Sequence, residues 1–207
     1  MAVCKTTNGG RTWGTRRRLG SEGGYGSGCR DIAVAPSNNS IVYAGGQLDY
    51  RVKMARSEDA GNSWTDVTEN LESLHRDWDL VNAIWVSPTN PYSLVVGTNR
   101  GVFRTIERRD PKNFQWSETT LTYSTRAFAY DKENRILYAA TDREGVFYSN
   151  DSGSTWRELN DGLDFKRTLC IGLDSENDLL FLGTDGGSVW RLNLGETNTT
   201  YLELNSQ

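Results

Sequence analysis

Short runs of alternating apolar and polar residues, separated by polar turns, cover most of this chain. The segments "SLVVGTNRGVFRT" from Ser93, "ILYAATDREGVFYS" from Ile136 and "LLFLGTDGGSVWRL" from Leu179 each contain an apolar strand, a turn with Gly, and a second strand. Another strand precedes each of them, as in "RAFAYDKEN" and "TLCIGLDSEN". The one helix-like patch, "TENLESLHRDWDL", lies between strands and is interpreted as a long loop. The pattern predicts an all-β chain of short strands and tight turns.

These strands recur in units of four with a regular period. Small residues at the end of the second strand step by 52 from Gly45 to Gly97, then by 43 to Ala140 and by 43 again to Gly183. Four strands at such a period are typical of a β-propeller blade, a four-stranded antiparallel sheet. We therefore predict a single β-propeller domain over 1–207, with a half blade at 1–20 and blades at 21–70, 71–121, 122–163 and 164–207.

The chain contains about four and a half predicted blades, so one blade is incomplete. A ring that stays open leaves the edge of a sheet bare, which proteins avoid. We expect a partial ring whose missing blades come from upstream sequence or from a second copy of the chain. The alternative is a compact five-bladed ring whose first blade lacks its inner strands.

A polar motif recurs at the turn between the third and fourth strands of a blade. It reads Ser/Thr-x-Asp/Asn-x-Gly-x-Thr/Ser-Trp, as in "SEDAGNSW", "SNDSGSTW" and the weaker "TTNGGRTW". An Asp or Asn oxygen can accept hydrogen bonds from turn amides, Gly permits positive φ, and Ser or Thr hydroxyls satisfy further backbone groups. We expect each Trp ring to be buried between blades, so that the motif stabilises the hairpin. Its predicted structural residues are Ser57, Asp59, Gly61, Trp64, Ser149, Asp151, Gly153, Trp156, Asn8, Gly10 and Trp13.

The motif resembles the Asp-box, or BNR, repeat of sialidases, xyloglucan-cleaving glycosidases, sortilin-type receptors and the photosystem II assembly propeller. At the level of blades the resemblance covers nearly the whole chain. It implies a propeller fold and an extracytoplasmic or secreted location. The sialidases of this family also use an Arg triad, a Tyr nucleophile and an "RIP" sequence, and no "RIP" occurs in this chain.

Composition and charge limit the partners and cofactors. The net charge of −4 gives no general attraction to nucleic acid, and no run of 18 apolar residues predicts a membrane span. The three cysteines, Cys4, Cys29 and Cys170, have no metal-ligand spacing, and we predict neither a metal nor another cofactor. Cys170 lies in an apolar strand and is expected to be buried.

Candidate binding residues come from the loops over the central channel of a propeller. Arg30 and Arg126 occupy equivalent places before the first strand of a blade, and Arg167 lies two residues before the corresponding place. Their guanidiniums could ring the mouth of the channel and hold carboxylates or phosphates. The alternative is that each Arg pairs with a neighbouring loop Asp. Asp142 and Asp185 are equivalent and are expected to make the same turn bond in each blade.

The loop "HRDWD" supplies a second group of candidates: His75, Arg76, Trp78 and Asp79, with Tyr50 on a neighbouring loop. An aromatic in a long polar loop suits sugar stacking or protein contact. The alternative is that Trp78 packs onto a neighbouring blade. We therefore predict a non-catalytic scaffold that binds a protein or a glycan.

The second function to consider is a glycoside hydrolase, sialidase-like or xyloglucanase-like, or a degenerate relative. Two carboxylates would then face each other across a cleft, about 5 to 9 Å apart. Asp49 and Asp79 are the weak catalytic candidates, since nothing in their spacing requires this arrangement.

Overall fold

The computed structural model describes residues 1–15, 17–19, 27–71, 78–105, 114–195 and 202–204. Every regular element in these ranges is a β-strand, which confirms the all-β prediction. Sixteen of the strands form four antiparallel sheets of four, and the first two form a two-stranded sheet. No helix in the described ranges is long and apolar enough to cross a membrane.

The strands follow one another in chain order within each sheet. The two-stranded sheet contains β1 (Ala2–Val3) and β2 (Arg17–Arg18). The next two sheets contain β3 (Gly28–Val34), β4 (Val42–Leu48), β5 (Arg51–Ser57), β6 (Thr65–Asp66), then β7 (Val81–Val86), β8 (Leu94–Thr98), β9 (Gly101–Thr105) and β10 (Trp116–Glu118). The last two contain β11 (Thr125–Asp131), β12 (Ile136–Thr141), β13 (Val146–Ser149), β14 (Arg157–Glu158), then β15 (Thr168–Asp174), β16 (Leu179–Thr184), β17 (Val189–Asn193) and β18 (Leu202–Leu204).

The chain divides into two compact units, and the sheet β7–β10 contributes residues to both. The first unit is Met1–Val96 with Thr105–Ser117, and the second is Gly97–Arg104 with Glu118–Gln207. Each four-stranded sheet falls inside one of the four predicted blade ranges. That the whole chain forms one domain stays a prediction.

In the first unit, apolar side chains of the two-stranded sheet pack on the sheet β3–β6. Met1, Val3 and Leu19 form a buried cluster with Ala44 of β4 and Ala55 of β5. Strands β3 and β7 lie side by side, so the first strands of successive sheets are neighbours. This arrangement is the one that a propeller blade requires, because each sheet buries one face against the next.

In the second unit, a larger cluster lies between the sheets β11–β14 and β15–β18. It includes Tyr138 and Val146 from the first of these sheets, and Leu182, Trp190 and Leu192 from the second, each at most 4% exposed. The alternation predicted from the sequence explains this core, because every second residue of a strand faces the same side.

The prediction that Cys170 is buried is wrong. Its thiol is exposed and, like those of Cys4 and Cys29, it is free. Ile171 packs on the core, so the preceding residue of the same strand faces the opposite side of the sheet. Its place in an apolar run therefore did not reveal that this side of β15 is uncovered.

The prediction that every motif Trp is buried is also wrong for the first motif. Trp156 is buried and stacks on Phe128 of β11 with 6.0 Å between ring centroids, and Trp64 packs at the edge of the first unit's core. Trp13, by contrast, is 63% exposed. Its motif belongs to the two-stranded sheet, which provides no described inner strands for the ring to cover.

Candidate functional site

A β-bulge recurs near the start of the first strand in three of the four-stranded sheets. The register shifts between Cys29 and Asp31 in β3, between Thr125 and Ala127 in β11, and between Thr168 and Cys170 in β15. The residues at the three shifts are Arg30, Arg126 and Leu169. A bulge redirects the side chain of its extra residue and often borders a binding site. Arg30 and Arg126 thus occupy equivalent positions, and Arg167 precedes the third bulge by two residues.

Glycine in the neighbouring strand allows the bulge in β3. A Cβ atom on Gly46 would lie 2.0 Å from the carbonyl oxygen of Gly28 and 3.1 Å from the backbone nitrogen of Arg30. These backbone atoms cannot give way without breaking the pairing of β3 with β4. Glycine at position 46 therefore fixes where the backbone places Arg30.

Two aromatic rings meet at the turn between β4 and β5, and we call Tyr50 and Trp78 the aromatic platform. Their ring centroids lie 4.1 Å apart, at an interplanar angle of 44°. The backbone amide of Trp78 donates a hydrogen bond to the carbonyl oxygen of Tyr50. Trp78 is 66% exposed, so its ring is presented to solvent rather than packed into a core.

The backbone beneath the aromatic platform is held in an uncommon conformation. Asp49, Tyr50 and Trp78 have φ values of 50°, 64° and 76°, a region that non-glycine residues rarely adopt. The amide of Asp49 donates to the hydroxyl of Ser27 at 3.0 Å, which fixes the turn. Backbone strain of this kind persists where neighbouring contacts determine the conformation, and it concentrates at functional sites.

The two carboxylate candidates differ in accessibility. Asp79 is only 4% exposed, and its carbonyl oxygen accepts a hydrogen bond from the side-chain amide of Gln47 at 3.2 Å. Asp49 lies on the exposed turn, where its carboxylate accepts a hydrogen bond from the Ser27 hydroxyl at 3.4 Å. A substrate reaching the aromatic platform would thus meet only one of the two carboxylates.

The second unit holds a row of alternating charges, which we call the arginine ladder: Arg126, Asp142, Arg167 and Asp185. One oxygen of Asp142 lies 3.0 Å from a terminal nitrogen of Arg126 and 3.3 Å from Nε of Arg167. Arg167 also pairs with Asp185. Each of these arginines therefore has a neighbouring loop Asp, as the alternative interpretation of the sequence proposed.

The ladder carries no net charge but does alter the acidity of Asp142. Partial burial alone would raise the pKa of this carboxyl, but hydrogen bonds and positive charge from Arg126 and Arg167 outweigh it and lower the pKa. Backbone hydrogen bonds hold both turns. The amide of Asp142 donates to the carbonyl oxygen of Ser124, and the amide of Asp185 donates to that of Arg167. The amides of Asp142 and Asp185 thus make equivalent bonds, as expected, and their carboxylates both bind Arg167.

The polar motifs place their acidic residues in their own turns. In the second motif, Oδ1 of Asp59 accepts hydrogen bonds from the amides of Asn62 and Ser63 at 2.9 and 2.7 Å, and Oδ2 accepts one from the Ser63 hydroxyl at 2.6 Å. Ser57 donates to the same carboxylate at 2.8 Å, and the amide of Gly61 donates to the Ser57 hydroxyl. These hydrogen bonds, the one from the Ser63 side chain above all, hold the pKa of Asp59 well below its usual range.

The third motif repeats this geometry. Asp151 accepts hydrogen bonds from Ser149, from the amides of Ser154 and Thr155, and from the Thr155 hydroxyl. The indole N–H of Trp156 donates to the carbonyl oxygen of Gly153 at 3.1 Å. The indole N–H of Trp64 donates in the same way to the carbonyl oxygen of Gly61. A carboxylate engaged in its own hairpin is poorly placed to transfer protons to a substrate.

Two of the predicted site residues, His75 and Arg76, lie outside the described residues. Arg30 is described and exposed. Within the described ranges, no group of three or more His, Cys, Asp or Glu side chains is arranged to hold a metal ion. The role of Asp142 as a shared partner of two arginines was missed, although the repeated Thr-Asp turns carried its signal.

Comparison with solved structures identifies the fold. The chain matches a crystal structure of a GH74 enzyme from Niastella koreensis with a TM-score of 0.63 and 19% identity, over 84% of this chain and 30% of the other. An ancestral GH74 enzyme matches with a TM-score of 0.60 and 16% identity, over 84% and 25%. Sqt1 from Chaetomium thermophilum matches with a TM-score of 0.58 and 16% identity, over 83% and 44%.

These matches confirm the propeller-type all-β fold predicted from the sequence. At such low identity they show the fold alone. This chain spans about a quarter to less than half of the length of the three proteins. No protein-family model matches the sequence. No curated protein matches it either.

Proposed function

We propose that this chain is a non-catalytic binding scaffold of the Asp-box group. It recognises a glycan through the loops that carry the aromatic platform and Arg30, with a protein as the alternative ligand. The hydrogen-bonded turns around Asp59 and Asp151 support membership of this group. An extracytoplasmic location belongs to the same proposal.

The observation that carries the proposal is the exposed aromatic platform. Trp78 presents two thirds of its surface to solvent while its ring stays fixed against Tyr50. Aromatic faces bind the apolar face of a sugar ring, and an ordered ring loses little conformational freedom on binding. A protein surface would use the same rings as anchors, because Trp and Tyr are enriched where interfaces bind most strongly.

Burial of Asp79 argues against the glycoside hydrolase. Hydrolysis with two carboxylates needs both to reach the scissile bond, and Asp79 is 4% exposed. The GH74 enzymes among the structural neighbours share the fold with this chain. A shared fold does not imply a shared reaction, because activity depends on the site residues.

The test is a glycan-binding measurement with matched variants. Wild-type protein is screened on a panel of neutral and acidic oligosaccharides, and hits are measured by titration calorimetry. Trp78→Ala is expected to weaken binding about tenfold, because the substituted ring is exposed and supplies the stacking surface. Phe165→Ala removes another exposed aromatic, in the second unit, and is expected to bind like wild type.

A hydrolysis assay on sialosides and β-glucans separates the two functions. The scaffold is expected to release no product. Turnover that Asp49→Asn or Asp79→Asn abolishes would overturn the proposal in favour of the hydrolase. Glycan binding that is unchanged in Trp78→Ala would remove the aromatic platform from the site.

A further inference from the structure

A cavity of about 270 Å³ opens in the first unit between the first and second polar motifs. It lies away from the aromatic platform: Gly61 and Asn62 of its lining follow the end of β5, whereas Tyr50 precedes the start of that strand. Seven residues of extended strand span about 20 Å. The cavity is therefore independent of the proposed glycan site.

The ring of Trp13 lines this cavity and departs from the pattern of its counterparts. Trp64 and Trp156 each donate their indole N–H to the glycine three residues earlier and are packed on a sheet. Trp13 has a glycine at the same spacing, Gly10, yet its ring is 63% exposed. A large exposed aromatic beside a cavity is a typical ligand-stacking surface.

Positive charge is concentrated in the segment that contributes most of the cavity lining. Residues 1–19 contain five Lys and Arg side chains and no acid, so all 27 Asp and Glu residues lie later in the chain. Asn8 occupies the motif position that Asp59 and Asp151 occupy elsewhere, so the first motif carries no carboxylate. Lys5 and Arg17 line the cavity and are exposed.

No acid in the described part of the chain neutralises Lys5 or Arg17 through an ion pair. The exposed hydroxyl residues Thr7 and Thr15 complete a polar lining. Together these groups provide a stacking face, two cations and hydrogen-bonding hydroxyls, within a volume suited to one or two sugar rings.

From this arrangement we propose that the cavity binds an anionic saccharide unit, a pyranose that carries a carboxylate or a sulfate. The apolar face of the ring stacks on Trp13, and the anionic group pairs with Lys5 and Arg17. An extended nucleic acid fits less well, because beyond residue 19 the chain has more acids than cations, and they repel a long polyanion.

The proposal is tested by titration calorimetry with four probes. A sulfated heparin-derived tetrasaccharide and a tetragalacturonate distinguish sulfate from carboxylate. Cellotetraose is the neutral control that shows whether charge is needed. A short single-stranded DNA tests for generic polyanion binding. At least one anionic saccharide is expected to bind wild-type protein, more weakly as salt rises, and cellotetraose at least tenfold more weakly.

Variants assign binding to the cavity. Trp13→Ala is expected to weaken saccharide binding about tenfold, and Trp13→Phe by less, because it keeps an aromatic face. The double variant Lys5→Gln/Arg17→Gln is expected to abolish the preference for the anionic saccharides over cellotetraose. Lys132→Gln removes an exposed cation in the second unit and serves as the matched control.

The outcomes separate this site from the aromatic platform. Binding lost in Trp13→Ala but retained in Trp78→Ala supports the cavity whether or not the platform binds a glycan. Equal affinity for wild type, Trp13→Ala and Lys5→Gln/Arg17→Gln would overturn the proposal. So would absence of binding to both anionic saccharides, or tighter binding of DNA that is unchanged in Trp13→Ala. Circular dichroism of Trp13→Ala is expected to match wild type, since the ring is mostly exposed.

Discussion

Replacing Asp151 tests what a motif carboxylate contributes to the stability of its hairpin. In wild type the carboxylate accepts four hydrogen bonds: one from the Ser149 hydroxyl at 2.8 Å, two from the amides of Ser154 and Thr155 at 2.9 Å each, and one from the Thr155 hydroxyl at 2.6 Å. Asp151→Ala removes all four. Asp151→Asn keeps the shape of the side chain and one of the two acceptor oxygens.

The chain already contains an amide version of this turn. Oδ1 of Asn8 accepts from the amide of Thr12 at 2.9 Å and from the Thr6 hydroxyl at 3.0 Å. Its Nδ2 group donates to the Thr12 hydroxyl at 2.7 Å, which reverses the direction of the bond that an Asp accepts there. An Asn at position 151 is therefore expected to preserve three of the four connections.

The expected magnitudes follow from these counts. A net contribution of about 1 kcal/mol per hydrogen bond is an upper limit, because the turn is exposed and water replaces the lost partners. Loss of a comparable side-chain cap costs about 0.5–2 kcal/mol. We expect Asp151→Ala to lower the free energy of unfolding by about 2 kcal/mol and Asp151→Asn by about 0.5 kcal/mol.

The pH dependence has a definite sign. Partial burial would raise the pKa of Asp151, but the hydrogen bonds, led by those from Thr155, outweigh it and lower the pKa below the ordinary 3.8. A carboxyl with a lowered folded-state pKa stabilises the protein above its unfolded pKa, and this stability is lost as pH falls through the folded-state pKa. The stability gap between wild type and Asp151→Asn should therefore narrow when the pH is lowered from 6 to 3.

Urea denaturation followed by Trp fluorescence measures both effects, and a thermal melt is expected to show a fall of about 4–8 °C for Asp151→Ala. The reasoning would be refuted if Asp151→Asn were as destabilising as Asp151→Ala, or if Asp151→Ala cost less than 0.5 kcal/mol. A stability gap that widens at low pH would contradict the direction of the pKa shift.

Two further predictions concern packing and thiol chemistry. Gly145→Ala is expected to lower the free energy of unfolding by about 2–4 kcal/mol, because the φ of Gly145 is 78° and a Cβ there would lie 2.0 Å from the side-chain oxygen of Asn160. Gly172→Ala, at a position with open space around it, is the control. Equal urea midpoints for the two variants would contradict the prediction. With Ellman's reagent at pH 8, Cys170 is expected to react faster than Cys29, whose thiol pKa is raised, mainly by burial; comparable labelling rates would count against this.

Much of the fold was predictable because its signals are local. The alternation in "LLFLGTDGG" separates Leu180 and Leu182, which are fully buried, from their neighbours within one strand. The hydrogen-bonded turns around Asp59 and Asp151 span only a few residues, so a short motif contains every partner. The four-strand unit follows from repetition of these local patterns.

The candidate site was harder to predict because its contacts join distant residues. Asp142 and Arg167 lie 25 positions apart and meet only after two sheets have packed. The side of β15 that carries Cys170 is exposed for a related reason, since alternation assigns faces but not coverage. Trp13 shares its motif with the buried Trp156 and the partly buried Trp64, so its exposure depended on the sheet beneath it and not on its own sequence.

The bulged first strands have a consequence for how such repeats diversify. Arg30, Arg126 and Leu169 stand at the same backbone position in three of the four-stranded sheets. Two are cationic and one is aliphatic, yet the surrounding register is the same. A repeat of this type can thus change the side chain at one position in each sheet while the backbone register stays the same. Substitutions at these three positions therefore offer a way to engineer binding specificity without redesigning the scaffold.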